Sequence, residues 1–268
     1  MRMEDVYQLV GNPTTMKKAF DYVRDGRVIT IHAEKESDGV RYTARVRGRY
    51  DLYQTWYKET DTQIVGGCTC PAFERTRTAC KHIAALMIEN MARQVRPGAE
   101  GVLFLPTLMG SRTPYWDPNT RGVLMGFTLY HDQRHIARAI YEGIAFALNS
   151  CAQIIAEYGA PITSMMLAGG GARSGLWPDI LSAVFGQTTR VHRAPGECTS
   201  LGAAIVAGVG AGIYANYEEA AGIVQERSVH PVNPAWAATY TEVYAIYRDI
   251  YEHLRPLTDR IAQSGIGG

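Results

Sequence analysis

Cysteine is scarce in this 268-residue chain, with five residues in all, too few at that length for a disulfide framework to stand in for a core. An excess of charge of one sign is lacking too. The 27 basic and 26 acidic residues leave a formal net charge of +1, which excludes a globally basic nucleic-acid protein and an acidic solvating one. No basic-then-apolar leader opens the sequence. The longest apolar stretch, Leu201 to Ala215, is about 15 residues of mainly glycine and alanine, short of a bilayer span. What remains is a globular composition, 46% hydrophobic and 20% charged, able to bury a core. The expectation is a soluble, cytoplasmic protein without membrane contact, built as one large domain or two modest ones.

The even totals conceal a seam. Residues 1–98 carry 16 basic and 12 acidic residues, a net of +4, whereas residues 99–268 carry 11 and 14, a net of −3. All five lysines (Lys17, Lys18, Lys35, Lys58 and Lys81) fall in the first part, and three of the five cysteines lie between Cys68 and Cys80. Glycine and alanine become denser after the seam. Pro97-Gly98 is a breaker pair following an apparent helix. Two modules are expected, over residues 1–95 and 99–268.

In the first, the spacing predicts a helix over 7–24 that stops at Asp25-Gly26. Strands are expected over 28–31 and 40–46, with a turn at Ser37-Asp38-Gly39, and further strand-like runs over 50–57 and 62–65. The densest chemistry follows: Cys68-Thr-Cys70, nine residues, then Cys80-Lys-His82. A short amphipathic helix continues over 83–91. Zinc takes four soft or borderline ligands in a tetrahedron, which three thiolates and one imidazole supply. Cys68 and Cys70, two apart on extended chain, point to one side. Cys80 and His82 stand at a helix entry, where the helix N-terminus favours a thiolate. With four protein ligands such a site is structural and not catalytic, and zinc supplies on the order of 10 kcal/mol of apparent folding energy to a small module. The same residues can also be read as buried small side chains with a core histidine, or as a Cys68–Cys80 disulfide.

With its CxC…CxH pattern after β-strands and a helix opening at the CxH pair, this module resembles the SWIM-type zinc finger over roughly residues 20–93. Pro71 and the Lys81-to-Leu86 continuation agree with that pattern. The resemblance implies a DNA or protein partner. Arg41, Arg45, Arg47 and Arg49 alternate along one strand run and can face a phosphate backbone, or simply form a solvated strand face.

In the second module a turn-rich loop runs over 109–121, a helix is expected over 134–159, and a strand over 165–167 enters Ala168-Gly169-Gly170-Gly171-Ala172-Arg173-Ser174. A helix over 176–185, a strand over 188–193, a helix over 201–212 capped by Ser200, and helices over 217–223 and 235–260 complete the reading. Strand, triple glycine and helix together allow close backbone approach to a phosphate or nucleoside, though the same spacing also serves a plain tight turn. Gly202, Gly208, Gly210 and Gly212 can equally serve close helix packing.

Residues 100–262 are similar to the C-terminal domain of the FGGY carbohydrate kinases, xylulokinase-like members in particular. The likeness is carried by Leu103-Phe-Leu-Pro106, Gly110 to Pro118, Gly122 to Glu142, Gly169 to Trp177 and Leu201-Gly-Ala-Ala204. It implies an actin-like (ribonuclease-H-like) ATPase fold, with ATP and Mg²⁺ and the adenosine side of ATP at Gly169, Gly170, Gly171, Ala172, Ser174 and Gly202. The overall expectation is an α+β zinc-binding module followed by a partial α/β actin-like ATPase domain.

No Asp-x-Gly-Thr phosphate element occurs in residues 1–98, and none of Asp117, Asp132 and Asp179 sits where the resemblance would place a catalytic base, so no catalytic residue is assigned. Phosphoryl transfer needs such a base and a clamp for the phosphates and Mg²⁺. Residues 99–268 offer two or three strands where the fold uses about five, so apolar surface needs covering by the zinc module or a partner. Three functions are in view. One is a fusion of a zinc finger to the ATP-side part of a sugar kinase, inactive alone. Another is a zinc-dependent DNA- or protein-binding module with the kinase part as scaffold. The third is a xylulose or related sugar kinase completed by a partner chain.

Overall fold

The computed structural model describes residues 6, 9–10, 12–24, 27–48, 51–60, 63–77, 79–114, 116–169 and 171–264. The helix stop at Asp25-Gly26, Arg49 and Gly170 lie outside these residues.

Helix α1 (Pro13–Arg24) opens with the Asn12 side chain accepting from the Thr15 amide at 2.7 Å, an N-cap followed by proline in the first turn. It buries Met16, Ala19, Tyr22 and Val23, which helical spacing places on one stripe. Strands β1 (Val28–Glu36), β2 (Gly39–Arg47), β3 (Leu52–Glu59) and β4 (Ile64–Cys68) form an antiparallel meander in that order. On β2 the pleat buries Ala44 and Val46 and exposes Arg45 and Arg47. A one-turn helix α2 (Pro71–Thr76), not expected from the sequence, separates the two ligand pairs, and α3 (Lys81–Arg93) follows.

Beyond the seam, β5 (Leu103–Leu105) pairs antiparallel with β6 (Val123–Met125), and α4 (Gln133–Glu157) runs between the sheets. Strand β7 (Met165–Leu167), α5 (Trp177–Phe185), β8 (Thr189–His192), α6 (Cys198–Gly210), α7 (Tyr217–Ala221), β9 (Glu226–His230) and α8 (Pro234–Gln263) complete the chain. Strand β7 is parallel to β8, and β9 closes antiparallel on β8. The described residues of this part therefore hold five short strands in two sheets, more than the two or three expected. The Glu226–His230 segment is polar and mostly exposed, so only its pairing with β8 makes it a strand. Ser200 is not the cap of α6. The chain leaves β8 through Pro195-Gly196, so the helix starts at Cys198 with Glu197 before it, and Ser200 already lies in the first turn.

The seam in composition is no gap in packing. One cluster of buried side chains runs from Val6, Met16 and Val28 through Ile83, Leu86 and Met87 to Leu105, Phe146, Ile180 and Tyr240. Helix α3 lies at its centre, against α1 and the meander on one side and α4 on the other, and buries every residue from His82 to Ala92. Part of the surface that a short sheet would leave bare is covered from within the chain, while Leu124, Met125, Met166 and Val229 on its strands stay exposed. Helix α4 has the length and apolarity of a membrane span, but its inner face carries a buried ion pair. Arg138 Nε donates to Glu142 Oε1 at 2.6 Å, the Tyr240 hydroxyl donates to the same oxygen at 2.8 Å, and so does the Gly98 amide at 3.1 Å. Gly98 has φ +85°, and a Cβ there would press on Val243 and Thr239, so glycine suits this connection.

Asp132 caps α4, accepting from the Arg134 amide at 2.9 Å and engaging His135 in a capping box. Burial opposes its ionisation, but hydrogen bonds from the Arg134 side chain and amide outweigh that and hold its carboxyl down at about 2. A depressed carboxylate stabilises the fold above its unfolded pKa of about 4 and loses that contribution as pH falls toward 2. Asp132→Ala is expected to cost about 1 kcal/mol at pH 7, read as a lower urea midpoint, with the difference from the parent shrinking as pH falls below 4.

Candidate functional site

The four predicted metal ligands converge. One ligand atom from each of Cys68, Cys70, Cys80 and His82 lies within 4.8 Å of all the others, and all four residues are buried. Local structure accounts for this. Cys68 ends β4, Cys70 caps α2 with its sulfur accepting from the Phe73 amide at 3.4 Å, Cys80 is the N-cap of α3, and His82 sits in that helix's first turn. His82 Nδ1 is 3.6 Å from Cys68 Sγ and 3.5 Å from Cys80 Sγ, close to the roughly 3.5 Å edge that zinc–ligand lengths imply in a tetrahedron. The imidazole packs at 4.8 Å from the Tyr53 ring and 5.2 Å from the Tyr22 ring. Its Nε2 has no hydrogen-bond partner among the described residues, so ring packing sets its orientation.

Electrostatics favour a cation here. Hydrogen bonds from Cys80, then His82 and Thr55, pull the Cys68 thiol down to about 4, while donation to Cys68 together with burial pushes Cys80 up. The cluster thus accommodates one thiolate by itself, and further thiolates so close together require a positive charge among them. The three thiols are free. With four protein ligands, a metal would find a closed, structural site.

The glycine-rich segment follows β7 as expected, but its members differ in accessibility. Gly169 is exposed with φ +80°, and a side chain there would meet nothing; its amide donates to the Pro195 carbonyl at 2.6 Å. Gly171 backs onto the Trp177 ring. Ala172 is buried, and its carbonyl accepts from Arg227 at 2.6 Å. Ser174 is buried as well. Its hydroxyl accepts from the Leu176 and Trp177 amides, each at 3.1 Å, and donates to Glu89 Oε1 at 3.1 Å, so it closes the turn into α5 and faces inward. Gly202 lies on the open side of α6, where a side chain would meet nothing; of the four glycines considered for close packing, only Gly208 would bring one against a neighbour, Tyr214.

The three candidate carboxylates all have structural partners. Asp117 accepts from the Asn119 and Thr120 amides and from the Tyr251 hydroxyl at 2.8 Å. Asp132 caps α4. Asp179 pairs with His230 at 2.6 Å.

The sequence matches the FGGY family of carbohydrate kinases, C-terminal domain, over residues 36–211. The chain belongs to that family. The match starts at the end of β1, so it runs through the Cys68-to-His82 cluster and across the seam. The xylulose kinase of Bacillus subtilis (strain 168) is 28% identical over 238 residues, covering 87% of this chain and 46% of that protein. Among solved structures, the gluconate kinase and the xylulose kinase of Lactobacillus acidophilus each superpose with a TM-score of 0.60 at 21% identity. They cover 89% and 90% of this chain and 50% of each of theirs. Coverage of that extent takes in much of residues 1–95 together with the later part, and it shows the sugar-kinase fold. The chain spans about half the length of the relatives it matches.

Glu89 was not singled out by the motifs, although an acid on the inner face of an apolar helix is itself a signal. It is fully buried, accepts from Ser174 and from Arg93 at 3.4 Å, and burial raises its carboxyl against the pull of Arg93. It ties α3 to the glycine-rich turn. Glu89→Ala leaves the Ser174 hydroxyl and Arg93 without this partner and is expected to cost about 2 kcal/mol by urea unfolding; Glu89→Gln, which still accepts from Ser174, is expected to cost less.

Proposed function

We propose that residues 1–95 form a zinc-binding module of SWIM type. Zinc is held by Cys68, Cys70, Cys80 and His82, and the module is joined to the ATP-side part of a xylulokinase-like FGGY kinase that does not phosphorylate sugar by itself. The observation that carries this reading is the convergence of the four ligand atoms within 4.8 Å. Zinc would supply folding energy at the start of α3 and no chemistry. Three free thiols kept for a metal suit a reducing, cytoplasmic setting. ATP with Mg²⁺ is the cofactor the family implies for the second part. Gly169 and Gly202 support it by offering open backbone, with Gly171 beside Gly169; Gly170 is included by its place in the sequence. Ala172 and Ser174 would support the turn from within.

Two other readings draw on separate observations. A sugar kinase completed by a partner chain is favoured by the match to the carbohydrate kinase family. DNA or protein binding through the zinc module is favoured by Arg45 and Arg47, exposed side by side on β2. Arg41 is engaged elsewhere, over the Trp56 ring and beside Glu36.

Native mass spectrometry of the purified chain is expected to show one zinc ion, absent from Cys80→Ser, and a strong chelator should lower Tm by about 10 °C or more. A zinc-free chain of unchanged Tm would refute the metal assignment. With ATP, Mg²⁺ and xylulose, the chain alone is expected to form no sugar phosphate, and turnover would show that the kinase chemistry is complete in these residues.

A further inference from the structure

Between the β1–β2 edge of the meander and the antiparallel β8–β9 pair lies a recess made of two adjoining cavities of about 480 and 400 Å³, which share Ile29, Arg45 and Arg227 as lining residues. Its charge is one-sided. Arg45, Arg47, Arg93, Arg193 and Arg227 line it, against a single carboxylate, that of Glu197. Arg45 and Arg47 stand two apart on β2, exposed, while Ala44 and Val46 are buried; the pleat therefore sends both guanidinium groups to one face.

The five cations differ in how they are held. Arg227 donates to the Ala172 carbonyl at 2.6 Å, Arg193 donates to the Gln225 side chain, and Arg93 lies beside Glu89. Arg45 and Arg47 make no side-chain hydrogen bond or ion pair among the described residues. Burial first, and then the charge of Arg47, disfavours the Arg227 cation, and the two guanidinium groups line one cavity. Like charges gathered from two walls of a cleft cost free energy unless something of opposite sign binds there. Guanidinium groups, with several donors in a fixed plane, match phosphate oxygens in pairs.

We propose that this recess binds a compact, phosphate-rich anion, a diphosphate or triphosphate group, gripped by Arg45 and Arg47 from the meander and by Arg227 from β9. The size and the opposed walls favour a small anion over a nucleic-acid strand, whose contacts would spread along one open face. The site goes beyond the metal reading and borders the glycine-rich turn, whose Ser174 and Gly175 line it and whose Ala172 carbonyl Arg227 holds; its proposed donors come from β2 and β9.

The test is calorimetric titration of inorganic pyrophosphate into the full chain, with zinc content followed by native mass spectrometry so that loss of metal is distinguished from loss of the anion site. Binding is expected, weakened about tenfold or more in Arg45→Gln/Arg47→Gln and to a similar degree in Arg47→Glu, with Arg260→Gln, outside the recess, unchanged. Both altered residues are exposed, and an unchanged circular dichroism spectrum is expected to confirm that each variant folds. The proposal is overturned if pyrophosphate fails to bind at millimolar concentration, or binds the double variant as it binds the parent. It is also overturned if a 20-nucleotide single strand binds more tightly than pyrophosphate and loses that binding in the same variant, which would make the face a nucleic-acid surface.

Discussion

Helix α3 is buried from His82 to Ala92, and the rest of the structure is arranged around that burial. A helix so far withdrawn from water is stabilised when its ends and polar side chains find partners. At its start Cys80 and His82 enter the thiol cluster. At its centre the Asn90 amide donates to the Tyr57 hydroxyl at 2.6 Å, and Glu89 accepts from Ser174. Its apolar faces, with Ile83, Leu86, Met87 and Ile88 fully or almost fully buried, each contribute roughly 1.5–3 kcal/mol per large side chain. They do so toward both the meander and α4. Neither part of the chain would keep its core without this helix.

The buried charges follow the same division of labour. Arg138, Glu142 and Tyr240 lock α4 to α8, and Glu142 also holds the Gly98 amide at the seam. Glu89 and Arg93 reach from α3 to Ser174 and Gly175. Buried ion pairs of this kind add little net stability over apolar residues of equal volume, but they penalise any register in which the partners miss one another. Here they fix how the glycine-rich turn sits on α3.

The convergence of Cys68, Cys70, Cys80 and His82 could be read from the sequence because its information is local. Two ligand dipeptides, each at a strand or helix end, bring side chains together with few alternatives. Most helices and strands could be read for the same reason. Strand β9 could not, since a polar segment becomes a strand only when β8 offers an edge, and α2 was hidden among the ligand spacings. The inward turn of Ser174 was also out of reach. A serine after a triple glycine reads as a ligand contact, and only the placement of Glu89, 85 residues earlier, makes it a support. The recess of arginines lay in plain view as an alternating strand, but which of them remain without partners depends on Trp56 and Glu36 taking Arg41.

These placements connect the two halves of the chain physically. Cys80 and His82 open the same rigid helix that presents Glu89 two turns later, and Glu89 holds the hydroxyl that closes the glycine-rich turn. Arg227 holds the carbonyl of Ala172 in that turn from the opposite side while lining the recess with Arg45 and Arg47. A shift of α3 along its axis would therefore break the cluster geometry and the Ser174 contact together, because a close-packed helix moves as a unit and its neighbours cannot follow it by small steps. The thiol–imidazole cluster, the glycine-rich turn and the arginine-lined recess are thus positioned by one buried helix and the strands packed on it, although they derive from two compositionally distinct stretches of sequence.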